Sequence, residues 1–497
     1  MIIEAFIKAL QAFGSLELWI FMLSGTIVGV VFGLIPGVSG LLPMALFLSF
    51  VFKLTPNQAL PFLVAISSVS FIGGSITAIL LDIPGTGPNT ATLMDGFPMS
   101  QKGQAGRAIG AALTSSAAGS VITVILALAM VPLVVPMIKA VQSADMVFII
   151  FMGLTFIAVL STGSMIKGLI SGGLGLILSL IGFQAVTGVG RFTFGSTYLY
   201  DGIRLIPVTL GLFAMSEAIS VATKGDPVIA KKTATVERQA VFEGMKDVWR
   251  HKWLSLRSSA IGFIVGLIPG VGGDVASFVA YGQAKQTSKH PELFGTGTVE
   301  GVIAPESAND AKEGGAILST LALGIPASSS MALLLGGLLM LGLIPGPEMM
   351  STHLDLSLTL LLISLVASVI AAAMCFPIAP YLARVATIPT RVLAPMVMVI
   401  AMVGVYAYRE QIEDALVTLV ITVIGVVMKN LGYNRPAFFL GFILGGRFEK
   451  YLFIALQSAG PLFFLRPISL VIIFLTLASV FYMPIKRIIL HRLTKRS

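Results

Sequence analysis

The sequence predicts an all-α polytopic membrane protein of about 12 transmembrane helices plus broken or re-entrant helices, with two internal repeats of inverted orientation. Three observations predict it. Of the 497 residues, 56% are hydrophobic and only 11% charged, with a mean hydropathy of +0.96; a soluble domain carries roughly 25% charged residues. The hexapeptide Gly-Leu-Ile-Pro-Gly-Val stands at residues 33–38 and again at 266–271. Each copy is followed by a second Ile-Pro break, Ile83-Pro84-Gly85-Thr86-Gly87 after Gly73-Gly74, and Ile325-Pro326-Ala327-Ser328-Ser329 after Gly314-Gly315. Proline cannot continue a helix, and glycine leaves backbone amides and carbonyls bare. In hydrocarbon such a break costs several kcal/mol per unpaired group unless it lines a polar cavity. Matched breaks in two halves are the sequence pattern of a transporter's central site.

Taken in order, apolar stretches able to span or re-enter the bilayer lie at 18–35, 41–54, 59–81, 108–138, 144–163, 165–183 and 203–222. After a polar connection they resume at 257–281, 314–345, 354–383, 391–408, 414–430, 436–455 and 466–486. Short alternating segments of the kind that build transmembrane strands are absent, so all are read as helical. Residues 1–222 form a first repeat unit with extra helices, 223–257 a connecting loop, and 258–497 a second unit with extra helices. The loop carries Lys224, Lys231, Lys232, Arg238, Lys246, Arg250, Lys252 and Arg257, which places it on the cytoplasmic side. After the first Ile-Pro break come Lys102 and Arg107; after the second no Lys or Arg occurs between Lys312 and Arg384. Opposite charge bias in equivalent loops favours inverted repeats, with a parallel repeat as the alternative.

Composition also excludes. The net charge of +9 sits in loops and at the C-terminus, with no interleaved aromatic and basic face for nucleic acid. Cys375 alone excludes an intrachain disulfide. Met1–Ser15 carries Glu4 and Lys8 and lacks a long apolar core, so no cleavable signal peptide is expected. There is no phosphate loop, His-Glu-x-x-His or Gly-x-Ser-x-Gly, so the chain reads as no enzyme and no ATPase. His251, His290, His353 and His491 all lie in polar segments, away from any intramembrane proton relay.

The candidate substrate site is the pair of Ile-Pro breaks. Gly85, Thr86, Gly87, Pro88, Asn89 and Thr90 present bare amides and hydroxyls, with Thr92 just beyond. A half-helix starting near Asn89 turns its positive end on a carboxylate. Ala327, Ser328, Ser329 and Ser330 repeat the arrangement, and Gly85 and Gly87 are read as positions needing positive φ. Asn309 joins them from Ala304-Pro305-Glu306-Ser307-Ala308-Asn309-Asp310; Glu306 and Asp310 are read equally as site groups or as interfacial caps. The Gly-rich breaks, Gly37, Val38, Ser39 and Gly40 in one half and Gly270, Val271, Gly272, Gly273 and Asp274 in the other, free carbonyl oxygens for a coupling cation. Asp95, one turn past the first break, is equally a site group or a structural one. Gly425, outside both breaks, is read as tolerant of Val.

The run Gly297-Thr298-Val299-Glu300-Gly301-Val302-Ile303-Ala304-Pro305-Glu306-Ser307-Ala308-Asn309-Asp310-Ala311, continuing to Gly342-Leu343-Ile344-Pro345-Gly346-Pro347, resembles the large membrane subunit of tripartite tricarboxylate transporters (TctA-type). Gly33–Gly40 and Ile83–Pro98 with Lys102-Gly103 share the likeness, which covers about residues 15–485. The family usually has Asn at Asp310 and Gly at Ala327. The resemblance implies a secondary transporter in the inner membrane of a bacterium. It would import a di- or tricarboxylate such as citrate on a Na+ or H+ gradient, with no other cofactor. Its implied partners are a small four-helix membrane subunit and a periplasmic substrate-binding protein. The competing reading is an anion-conducting channel, which needs a continuous polar pore.

Overall fold

The computed structural model describes residues 2–35, 40–160, 164–184, 187–224, 236–270, 272–385 and 390–478. The first part holds α1 (Ile2–Ala12), α2 (Leu16–Gly33), α3 (Leu41–Leu48), α4 (Pro56–Leu81), α5 (Asn89–Gln101), α6 (Ala105–Lys139), α7 (Ser143–Leu160) and α8 (Met165–Ser179). A small antiparallel hairpin, β1 (Gly182–Phe183) and β2 (Gly190–Arg191), follows. Then come α9 (Leu205–Thr209), a π-helical turn (Leu210–Met215) and α10 (Ser216–Lys224). The second part holds α11 (Arg238–Arg250), α12 (Lys252–Leu267), α13 (Gly272–Thr287), α14 (Glu300–Leu323) and α15 (Ser329–Met340). It closes with α16 (Leu354–Val385), α17 (Thr390–Arg409), α18 (Ile412–Asn430) and α19 (Arg435–Ala459). The protein is an all-α membrane protein.

Among the described residues, five helices are long and apolar enough to cross a bilayer, or six if Arg435–Leu465 and Pro467–Ala478, bent by 63°, make one span. The sequence leads to a higher number because it also takes in stretches whose apolar helices are shorter than a span, such as Met165–Ser179 and Ala394–Arg409, and because it reads through breaks. The stretch at 257–281 is two helices, α12 and α13, and 314–345 is the end of α14 plus α15. The connection at 223–257 is likewise structured in part: α11 lies within it and α12 begins inside it at Lys252.

The two halves pack by the same rule. A Cβ on Gly33 of α2 would lie 2.2 Å from the carbonyl oxygen of Ser70 in α4, and one on Gly266 of α12 would lie 2.1 Å from that of Lys312 in α14. The pair Gly29–Ile66 recurs in the same way as Gly262–Ala308. In both halves glycine lets two backbones touch, the small-residue packing that substitutes for a hydrophobic driving force inside lipid. The left-handed residue that ends the long helix recurs too, Asp82 (φ 59°) after α4 and Gly324 (φ 69°) after α14. So α2–α5 and α12–α15 are equivalent four-helix units.

Where the units meet, α4 and α14 run antiparallel: Ser75 bonds Glu306 while Ser67, two turns earlier, bonds Glu313, two turns later. The half-helix after each break crosses to the opposite unit. Asp95 of α5 bonds Tyr281 of α13, and Gly337 of α15 packs on Leu48 of α3 and Leu63 of α4.

Candidate functional site

The first break is a turn back into the protein. After α4 ends at Leu81, the Gly85 N–H donates to the Gly74 carbonyl at 3.4 Å and the Asn89 Nδ2 to the Phe71 carbonyl at 3.1 Å. Residues 85–89 therefore lie level with 71–75, inside the length of α4, before α5 starts at Asn89 as the sequence expects. A Cβ on Gly85 would sit 2.4 Å from the Gly74 Cα and 2.6 Å from the Gly33 carbonyl oxygen. Close backbone approach selects glycine here. Positive φ does not: the left-handed residue of this break is Asp82, three positions earlier.

Thr86 and Asn89 are buried and bond one another, Oγ1 to Oδ1, at 2.5 Å. Asn89 Nδ2 also donates to Ser75 Oγ at 2.8 Å. Gly87 is exposed, Pro88 buried and Thr90 half-buried. In the second break, Ala327 is buried, its N–H donating to Thr320 Oγ1 (3.3 Å) and its carbonyl accepting from the Gly270 N–H (3.1 Å). Ser328 caps α15 by accepting from the Met331 N–H at 3.3 Å and bonds Ser330 at 3.0 Å; Ser329 is half-buried beside them. The Gly-rich and Ile-Pro breaks of each unit are thus neighbours: Gly270 bonds Ala327, and a Cβ on Gly40 would lie 4.0 Å from Thr86. Gly37, Val38, Ser39 and Val271 lie outside the described residues. Gly272, Gly273 and Asp274 open α13.

The residue that ties the site together is Glu306, fully buried on α14. Its carboxylate accepts from Ser75 (2.7 Å, α4), Thr92 and Asn89 (3.5 Å, both α5) and Ser116 (3.1 Å, α6). Three further buried ionisable side chains follow on the same helix. Asp310 accepts long bonds from Ser120 (3.4 Å) and Ser368 (3.3 Å), leaving Oδ2 unpartnered. Glu313 accepts from Ser67 (3.3 Å) and from Lys312, whose ammonium stands 3.8 Å from the centre of the Phe71 ring. Asn309 is 1% exposed with neither amide atom bonded. Glu306 and Asp310 are thus interior groups, not caps at a wet helix end. Ser67, Ser75, Ser116 and Ser120 carry no expectation from the sequence. Their density in stretches otherwise apolar is the signal that marks them.

Asp95 resolves as a latch between the units. One oxygen accepts from the backbone N–H groups of Gly295 (2.9 Å), Gly297 (2.7 Å) and Thr298 (3.0 Å), and the other from the Tyr281 hydroxyl (2.8 Å). Asp95→Asn turns one acceptor into a donor facing donors. It is expected to cost about 1–3 kcal/mol, read as a lower unfolding temperature in detergent.

The pattern of the tripartite tricarboxylate transporter TctA family matches residues 19–440, across both units and both pairs of breaks. The chain belongs to that family. This TctA-family protein is also 32% identical over 467 residues to an uncharacterized 52.8 kDa protein from the TAR-I ttuC' 3' region of Agrobacterium vitis, covering 93% of this chain and 92% of the relative. A second uncharacterized protein, from the TAR-II ttuC' 3' region of Agrobacterium vitis, is 32% identical over 191 residues, 38% of this chain and 79% of the relative. No solved structure matches the chain. As a TctA-family member it is a multi-pass membrane component of a tricarboxylate transporter.

Proposed function

We propose that this TctA-family protein is the large membrane subunit of a secondary active importer for a small organic anion, a di- or tricarboxylate such as citrate. It works in the inner membrane of a bacterium with a small four-helix membrane subunit and a periplasmic binding protein that delivers the substrate. The carboxylate sits between the two Ile-Pro breaks, against Gly85–Thr90 and Ala327–Ser330, with Asn309 between them. The observation that carries this reading is the antiparallel meeting of α4 and α14, which sets two equivalent broken units head to tail around one polar interior. The same observation supports inverted repeats, and a moving unit on either side of the α4–α14 contact gives alternating access. The additional helices outside α2–α5 and α12–α15 bring the spans to about 12.

Charge supports cation coupling. Glu306, Asp310 and Glu313 are buried with a single ammonium, Lys312, among them. Excess buried negative charge is expensive, and a bound Na+ or H+ offsets it. The oxygens of Gly37–Gly40 and Gly270–Asp274 remain the proposed ligands of such an ion.

In proteoliposomes holding both membrane subunits and the binding protein, uptake of labelled citrate should collapse when ionophores dissipate the cation gradients, and ATP should not restore it. Uptake supported by ATP alone, or steady conductance without saturation, overturns the reading. Reporters fused near Lys102 and near Glu348 should report opposite sides of the membrane. Both on one side would replace the inverted repeat by a parallel one.

A further inference from the structure

The corner between α11 and α12 is built for the membrane surface, and nothing in the transport reading uses it. Helix α11 crosses α6 close to the N-terminal end of that helix: a Cβ on Gly110 would lie 2.0 Å from the Val241 carbonyl, and one on Gly244 2.0 Å from that of Arg107. Helix α6 is 35 residues long, about 50 Å against a hydrocarbon core of about 30 Å, and the crossing lies in its first two turns, ahead of its most apolar residues 121–138, on the side of the bilayer's polar boundary. Phe242 of α11 packs edge-on against Phe376, with ring centres 5.2 Å apart, in the last turn of the membrane-capable helix Leu354–Ala379 of α16.

At this corner two of the protein's three tryptophans are bare, Trp249 at 73% and Trp253 at 72% exposure. Tryptophan concentrates at the headgroup level because its ring is both apolar and polar. Below Trp253 the open face of α12 continues with Leu256 and Ile264, both exposed, in the direction of the bilayer core. The basic groups stand beside this stripe. Arg250 is 66% exposed, Lys252 is exposed, and Arg257, one turn past Trp253, is half-buried with a buried Nε that bonds nothing. The buried Asp247 pairs with Arg250 at 3.1 Å and with Arg107 at 2.5 Å, and Glu300 faces His251 at 3.5 Å; among the described residues no ion pair involves Lys252 or Arg257.

We infer that the α11–α12 corner binds an anionic phospholipid, its phosphate on Arg257 and Lys252, its glycerol region under Trp249 and Trp253, and an acyl chain along Leu256 and Ile264. Arginine suits the phosphate because its planar fork donates two parallel bonds. A basic cluster at the surface attracts anionic headgroups, and a long side chain can lie along the apolar face with its charge held at the interface. A soluble acidic peptide would leave Leu256 and Ile264 in water, whereas a lipid covers both parts at once.

The test uses the full chain with its partner subunit, carrying Trp19→Phe so that emission comes from Trp249 and Trp253. It is reconstituted into phosphatidylcholine vesicles containing equal mole fractions of either brominated phosphatidylglycerol or brominated phosphatidylcholine. Brominated phosphatidylglycerol should quench the emission several-fold more strongly, and Arg257→Gln with Lys252→Gln should reduce it to the phosphatidylcholine level. Free inorganic phosphate should leave the quenching unchanged. Equal quenching by both lipids, or excess quenching that survives the double substitution, overturns headgroup binding. Emission untouched by either lipid, or quenching relieved by free phosphate, overturns the lipid as occupant.

Discussion

Gly85→Ala is expected to abolish substrate uptake. The added carbon meets backbone on two sides, the Gly74 Cα at 2.4 Å and the Gly33 carbonyl oxygen at 2.6 Å. A flexible side chain could swing aside, but these atoms belong to α4 and α2 and move only if the helices part. Overpacking in a close-packed interior costs about 1–3 kcal/mol even where side chains can adjust. Here the only relief is withdrawal of residues 85–89 from the level of 71–75, which removes the proposed anion site. Uptake by reconstituted protein is the measurement. Gly173→Ala and Gly446→Ala are the controls, because nothing lies within 4 Å of a Cβ at either position. Gly425, which the sequence offers as neutral, is a poor control: a Cβ there would lie 3.0 Å from Ser216 and 3.1 Å from the Leu212 carbonyl. Normal uptake by Gly85→Ala would show that the break tolerates loosening and that the site lies elsewhere.

Glu306→Ala is the second large effect. It removes the acceptor shared by Ser75, Asn89, Thr92 and Ser116; Ser75 and Asn89 keep the Phe71 carbonyl, whereas the buried Thr92 and Ser116 hydroxyls lose the carboxylate they bond. Each buried donor left without an acceptor costs about 1–3 kcal/mol, and the lost side chain leaves a void beside them, so the variant should unfold at lower temperature in detergent. Glu306→Gln is the separating variant. It keeps the shape and one acceptor oxygen, and the serine and threonine hydroxyls can rotate to accept from the new amide. Its stability should stay within about 1–2 kcal/mol of the parent. If the carboxylate's charge takes part in cation coupling, this stable variant loses gradient-driven uptake. If Glu306→Ala is as stable as the parent, the carboxylate does not hold α4, α5 and α6 to α14.

The sequence makes the breaks legible because proline and glycine act locally. Ile-Pro at 83–84 and 325–326, and the start of α5 at Asn89, follow from chemistry within a few residues. The equivalence of the two units was legible from the duplicated hexapeptide. The reason for Gly85 was not: the sequence suggests backbone torsion, whereas the structure shows that Gly33 and Gly74 come to meet it, and that contact is made by tertiary packing. Asp95 was ambiguous for the same cause, since three of its partners are backbone N–H groups about 200 positions away, which no side-chain pattern announces. Single serines of α4 and α6 do not announce the site, because an isolated hydroxyl in an apolar helix ordinarily bonds its own backbone one turn back. Only the carboxylate opposite them gives them another task.

The latch at Asp95 also sets an order of events during synthesis. When α5 enters the membrane, none of the donors that satisfy its carboxylate exists yet, because they come with residues 281–298. Translation runs at about 5–20 residues per second, so roughly ten to forty seconds pass before the ribosome has made them. Through that interval a carboxylate destined for full burial has only water or the insertion machinery to satisfy it. The first half must therefore wait, wet and incompletely packed, and the last folding step of α5 belongs to the finished chain.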